Sequence, residues 1–369
     1  MSSVDLRPGP RSNNLDGLRL VGALLVIFGH AYALMALPVP VPVVAGYPVQ
    51  TLGLTLFFAI SGYLIAASWN RTRNPVTYLV ARSLRIFPAL VVVVLTTVFV
   101  LGPWFTSLTR AEYFDDPRTW DYLGNIAMRL QHDLPGVFLD GPYPIAVNGS
   151  LWSLPVEFAC YLLVPLLLLV PRRLRAIVLV AAALYCLQLA QVPVEEDIII
   201  WGTPLNNAAP MWAFFAGGAL MRVLHERYAG LFRADVAVLV TAAFLLVTAT
   251  VPEWHADVAW VAVPYVVLTL GLASTPYLRR TARFGDVSYG LYLWAFPVQQ
   301  VVSRTVAPES LAVNLVLVTA ITGVLAFASW HLVEKPALAL KDRLVRPRRG
   351  ARRAVVAETT GGGPQASLV

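Results

Sequence analysis

Apolar runs of roughly 16 to 22 residues recur along the whole chain, broken by short polar stretches in which arginine, proline and glycine gather. Each run is long enough to cross a lipid bilayer as a helix. Ten such helices are predicted, over 17–37, 51–69, 84–102, 154–170, 174–191, 204–221, 235–251, 258–274, 286–303 and 311–333, with ends fixed only to within several residues. The expected fold is all-α, a polytopic membrane protein whose ten transmembrane helices form one bundle. A polar N-terminal segment (1–14) precedes the membrane domain (15–336), and a basic tail (337–369), expected to be disordered, follows it.

Composition agrees with this reading. Hydrophobic residues make up 57% of the chain and charged ones only 13%, against about 25% charged in ordinary soluble domains, and mean hydropathy is +0.66. The first apolar run carries Arg19 and is not followed by a small-residue cleavage pattern, so it is expected to stay as a helix rather than act as a signal peptide. Cys160 and Cys186 both fall inside predicted helices, where a disulfide of the secreted kind is not expected.

Charge then orients the bundle. An even number of spans puts both termini on one side, and all of the 28 Lys and Arg except Arg110, Arg118, Arg129 and Arg304 fall on that side, which makes it the cytoplasm. Acidic residues gather on the other side, in Glu195, Glu196 and Asp197 and in the long loop between Glu112 and Asp140. The net charge of +7 is therefore a topology signal, and it predicts a multi-pass protein of the plasma membrane. Basic residues spread over loops and a tail, with little aromatic interleaving, speak against a nucleic-acid partner. The terminal RPRRGARR fits contact with anionic lipid.

Polar groups inside the spans carry the candidate chemistry. Arg19 and His30 lie in RLVGALLVIFGH, eleven positions apart. Eleven helical steps return to within about 20° of the starting direction, about 16 Å along the axis, so both share one face. Buried ionisable groups are costly in a bilayer, so the pair reads as a site with two ends. The structural alternative is an interfacial anchor at Arg19 and a hydrogen-bonded core histidine at His30. Arg82 and Arg85, in RSLRIFP at the expected cytoplasmic start of the third helix, suit a phosphate-rich ligand or serve only as a positive-inside anchor.

Glu157, in NGSLWSLPVEFACY, is placed by this reading at the first turn of the fourth helix and at the depth of His30, where a carboxylate would fix the histidine tautomer. Its alternative is a cap facing external water. Ser61 and Gly62 permit close helix approach or a local break, and Gln299 and Gln300 are expected near the depth of His30. Tyr289, Tyr292 and Trp294 are candidate site aromatics or interfacial belts. Glu334 is expected to pair with Arg19, Arg82 or Arg85. His132, His225 and His255 have no partner at metal-ligand spacing, and no zinc, phosphate-loop or nucleophile-elbow motif is present.

Taken together, NLDGLRLVGALLVIFGH, TLFFAISGYL, RSLRIFP, NGSLWSLPVEFACY, DVSYGLYLWAFP and VEKP resemble, in order, the motifs of the acyltransferase-3 family of integral-membrane O-acyltransferases, from Asn14 to Pro336. The resemblance implies that His30 is the catalytic histidine, that Arg19, Arg82 and Arg85 serve the acyl donor, and that Glu157 is an active-site carboxylate. Some relatives carry a histidine after YLW where Ala295 stands here, so no role transfers to that position. No appended esterase-like domain is expected.

On this reading the donor is acyl-coenzyme A, most simply acetyl-CoA, used as a co-substrate with no bound cofactor or metal. It enters from the cytoplasm and threads its pantetheine arm toward His30. The acceptor is a hydroxyl of a cell-surface glycan or lipid-linked sugar, or alternatively of a secondary metabolite such as a macrolide sugar. Trp152, Ser153 and Tyr292 are candidates for substrate contact and oxyanion stabilisation. A covalent acyl-histidine is a variant of the same chemistry. A transporter or flippase is the rival from another class, but the chain has no internal repeat that would match it.

Overall fold

The computed structural model describes residues 13–144, 146–193 and 198–345. The polar segment expected at the N-terminus and the basic tail beyond Val345 lie almost wholly outside these residues. Helix α1 (Leu15–Leu34) leads through a small hairpin, β1 (Val43–Val44) paired antiparallel with β2 (Tyr47–Pro48), into α2 (Val49–Thr72). Helix α3 (Pro75–Thr96) runs on through a π-helical turn at Thr97–Leu101 into α4 (Gly102–Phe105). Two short helices, α5 (Arg110–Asp115) and α6 (Pro117–Asp121), organise the long loop. A 3₁₀ turn at Gly149–Trp152 opens α7 (Ser153–Leu167), followed by α8 (Arg175–Leu189) and a second hairpin, β3 (Ile199–Ile200) with β4 (Thr203–Pro204). The chain closes with α9 (Leu205–His225), α10 (Ala234–Thr250), α11 (His255–Leu272), α12 (Ser288–Thr305), α13 (Leu311–Ser329), a π-helical turn at Trp330–Glu334 and α14 (Lys335–Val345).

Every predicted segment contains a helix. Among the described residues, six helical stretches are long and apolar enough to cross a membrane: Leu15–Leu34, Val49–Thr72, Pro75–Phe105, Gly149–Leu167, Pro252–Leu272 and Leu311–Lys341. Helices α8 and α10 are apolar but shorter. The chain is a helical multi-pass membrane protein with almost no sheet.

The start of α3 and the helix beyond Pro336 differ from expectation, and α7, which begins within a residue of the expected position, is entered at an unexpected depth. Helix α3 begins at Pro75 rather than near 84, because Asn74 accepts a hydrogen bond from the Thr77 amide (3.0 Å) and Pro75 supplies the pre-set first helical residue. Arg82 and Arg85 therefore sit about two and nearly three turns inside the helix. Helix α7 is entered through a turn buried in the protein, described below. Beyond Pro336, where a disordered tail was expected to begin, helix α14 continues to Val345.

Helix α2 is the hub, packed against α1, α7, α9 and α11. Small residues let the backbones meet. A Cβ on Gly22 of α1 would lie 3.0 Å from the Gly53 carbonyl of α2, and Gly62 of α2 and Gly218 of α9 face the carbonyls of Phe215 and Ala59 across the α2–α9 contact. Lipid gives helices no hydrophobic reason to associate, so this close packing is what joins them.

Candidate active site

Four charged side chains meet at the end of the bundle where most of the arginines lie. Asp286 lies just ahead of α12, after Gly285, whose φ of +90° suits glycine. One of its oxygens, Oδ2, accepts from Arg19 Nη1 of α1 at 2.5 Å and from Arg85 Nη2 of α3 at 2.6 Å. Arg85 Nη1 also donates to Glu334 Oε2 at 3.0 Å. Ser288 and Ser329 donate to the remaining oxygens of Asp286 and Glu334. Aromatic faces complete the surroundings: Tyr289 and Trp330 flank the Arg85 guanidinium at 5.3 and 5.9 Å, and Phe57 lies 5.8 Å from that of Arg19.

Arg82 behaves differently from its neighbour one turn on. Among the described residues it makes no hydrogen bond or ion pair, and its Nε is fully enclosed. Tyr161, Tyr78 and Glu157 lie within its electrostatic reach. Enclosing a guanidinium N–H without an acceptor is costly, and this cation has no carboxylate placed against it among the described residues.

His30 stands at the other end of α1. Its ring meets Phe296 of α12 edge to face, with centroids 5.2 Å apart, and Phe296 in turn meets Tyr143. Gln300 of α12 pins that loop by donating to the carbonyls of Tyr143 (2.7 Å) and Ala146 (2.6 Å), and Gln299 reaches the Ile27 carbonyl one turn below His30. The His30 ring makes no hydrogen bond to a described protein group, and neither ring nitrogen is sealed off. An imidazole with its nitrogens open to incoming groups is chemically available. Pro144 and Val147 also line a cavity of about 340 Å³, together with Ser107, Arg118, Asp133 and apolar side chains.

The eleven-residue spacing does what helical geometry requires. Arg19 and His30 both face α12, one at Asp286 just before it and the other at Phe296 further along. The direct line between them is filled, because Ala23 and Ile27 of α1 pack with Leu291 and Ala295 of α12. A polar seam runs beside it instead. From Arg82 it passes to Glu157, whose Oε1 accepts from Ser61 (2.9 Å) and Tyr161 (2.6 Å). One turn earlier on α7, and with no bond to Glu157, Ser153 meets the Tyr292 hydroxyl at 2.6 Å, and beyond it lie Ser150 and Asn148, the latter's side chain donating to the Leu293 carbonyl. The seam ends at Gly149, packed on the ring of Phe296 beneath His30.

Two expectations fail here. Glu157 does not face His30, and the carboxylate belongs to the arginine end. Ser61 lies eleven residues below Gln50, which packs beside Gly29, and this puts Glu157 about 16 Å from the level of His30. The depth estimate assumed that α7 starts at the surface, whereas the NGS segment dips into the protein. There Asn148 Oδ1 holds the Ser150 amide (3.2 Å) and hydroxyl (2.7 Å), so the helix begins deep. Tyr292 is likewise not a free donor, since its hydroxyl donates to the Ser150 carbonyl at 2.7 Å and also lies 2.6 Å from the Ser153 hydroxyl. Trp152 contributes its carbonyl to Thr203.

Glu334 pairs with Arg85, one of the three partners foreseen. Asp286 and Tyr161 were missed. Asp286 sits in a loop far along the chain from both of its arginines, and only its place two residues before the SYG motif hinted at it. Both cysteines are free, and among the described residues no group of three or more His, Cys, Asp or Glu side chains is placed to hold a metal.

Known proteins of similar sequence identify the family. The chain is 30% identical to an O-acetyl transferase of Shigella phage Sf6, an alignment covering 88% of this chain and 96% of that protein. It is 28% identical to nodulation protein 10 of Rhizobium leguminosarum bv. viciae, covering 91% of this chain and 96% of the relative. Peptidoglycan O-acetyltransferase OatA of Listeria monocytogenes is 25% identical over 88% of this chain and 55% of its own length. No solved structure matches. The family described as acyltransferase domain matches residues 12–333, nearly the whole chain. With the histidine and arginine motifs in place across that span, the chain belongs to the acyltransferase-3 family and is a membrane O-acyltransferase.

Proposed function

We propose that the protein moves an acyl group, most simply acetyl, from acyl-coenzyme A on the cytoplasmic side of the plasma membrane to a hydroxyl of a glycan or lipid-linked sugar on the outer side. Its topology would be ten spans with both termini in the cytoplasm, the side on which most arginines fall. One observation carries the reading. An accessible imidazole at one end of the bundle and three guanidinium groups at the other are joined by a polar seam, which suits a long donor whose anionic head and reactive thioester lie far apart.

In this mechanism Arg82, with Arg19 and Arg85, receives the donor phosphates, and the pantetheine arm follows the seam past Ser61, Glu157 and Ser153. His30 takes the proton of the acceptor hydroxyl as its oxygen bonds to the thioester carbonyl carbon. The tetrahedral intermediate then expels the thiolate, which takes the proton from the imidazolium, leaving an ester and free coenzyme A. Glu157 acts within the seam rather than on His30, because its oxygen is engaged by Ser61 and Tyr161. The cavity beside Pro144 and Val147 offers an approach for the acceptor, and the relative named for O-acetylating peptidoglycan favours a saccharide there.

Purified protein given isotopically labelled acetyl-CoA and a glycan fraction from the source membrane should form labelled ester. His30→Ala should lower turnover about 10²- to 10⁴-fold while leaving the protein monodisperse in detergent. Wild-type turnover in His30→Ala would refute the assignment of the base.

A further inference from the structure

The charged cluster at the arginine end is balanced within itself. Arg19 and Arg85 are matched by Asp286 and Glu334, so an anionic donor arriving there meets four charges that already cancel, with Arg82 as the uncompensated cation beside them. The two carboxylates are not equivalent. Glu334 is part of a helical turn, and its side chain is 2% exposed. Asp286 sits in the short connection that leads into α12, and its side chain is 17% exposed. A single oxygen of Asp286 bridges guanidinium groups from two different helices at 2.5 and 2.6 Å, which is the arrangement an oxygen of a phosphate adopts between two arginines.

We infer that Asp286 is a resident counter-ion in the seat of a donor phosphate, holding Arg19 and Arg85 together until acyl-CoA displaces it. The inference rests on the acyl-CoA reading above. Without the carboxylate the two guanidiniums would repel each other in a poorly solvated site. With it they stay facing one point, preorganised for an anion. Displacement is local: the carboxylate swings on a residue outside any helix, and Ser288 Oγ, already 2.7 Å from Oδ1, remains as a donor for it. Glu334 stays on Arg85 throughout, so the arginine keeps its direction while one of its edges changes partner. The resident ion lowers the donor's apparent affinity, because part of the binding energy is spent in removing it.

Calorimetric titration of the detergent-purified full chain with coenzyme A, comparing wild type with Asp286→Asn and Glu334→Gln, separates the possibilities. Asp286→Asn should bind roughly tenfold more tightly, the scale of one lost charge-assisted hydrogen bond, and should melt lower in the absence of ligand. Glu334→Gln should show no tightening. If Asp286→Asn folds poorly, Asp286→Ser removes the same charge and reads the same quantity. Equal or weaker binding by the Asp286 variants, or equal tightening by Glu334→Gln, would overturn the inference and make Asp286 a fixed support. Failure of the wild type to bind coenzyme A would instead overturn the donor reading on which the inference rests.

Discussion

Arg82 and Arg85 are one helical turn apart on α3, yet their surroundings demand opposite behaviour. Arg85 is clasped by two carboxylates and two aromatic faces, and its removal leaves the buried Glu334 without its cation. Breaking a buried pair in this way costs roughly 3–5 kcal/mol, so Arg85→Ala should melt markedly lower in detergent. Arg82 has no such tie among the described residues. Arg82→Ala should therefore leave melting near the wild-type value and raise the KM for acetyl-CoA instead, and kinetics beside a thermal melt would tell the two arginines apart. At this scale the sequence displayed the cations but not their counter-ions. The Arg19–His30 spacing could be read from helical periodicity alone, whereas the bond from Arg19 to Asp286 joins residues that only the tertiary fold brings together.

Helices meet where side chains are absent. At the α2–α9 contact, Gly218 faces the Ala59 carbonyl and Gly62 faces that of Phe215, so neither can gain a side chain without parting the backbones. Gly218→Val should destabilise the protein by about 1–3 kcal/mol or more, seen as a lower detergent melting temperature and a poorer yield of monodisperse protein. Apolar run length located each helix well, because the bilayer sets that length. Starts were harder to place. The Asn74–Pro75 cap of α3 is a local signal that the hydropathy pattern obscured, since Arg82 and Arg85 interrupt the apolar run and suggest a later beginning. The buried entry to α7 carries no local signal of depth, because Asn148 and Ser150 find their partners on α12, far away in the chain.

For the whole molecule, the distribution of arginine makes a prediction about sidedness. Trp104, at the end of α4, is 79% exposed, and Tyr277, in the connection between α11 and α12, is 84% exposed at the opposite end. In a background lacking Cys160 and Cys186, Trp104→Cys should react with a membrane-impermeant maleimide on intact cells. Tyr277→Cys should react only after permeabilisation, and the reverse pattern would invert the topology. The deep start of α7 has one more effect on the molecule as a whole. Because loop and a single 3₁₀ turn rather than a long helix precede Ser153, the column above α7 is closed by backbone pinned to α12 through Asn148 and Gln300, with Ser153 and Tyr292 hydrogen-bonded beneath it. On the proposed reading, a thioester drawn along the seam meets the acceptor hydroxyl at His30, so transfer needs no rocking of one half of the protein against the other.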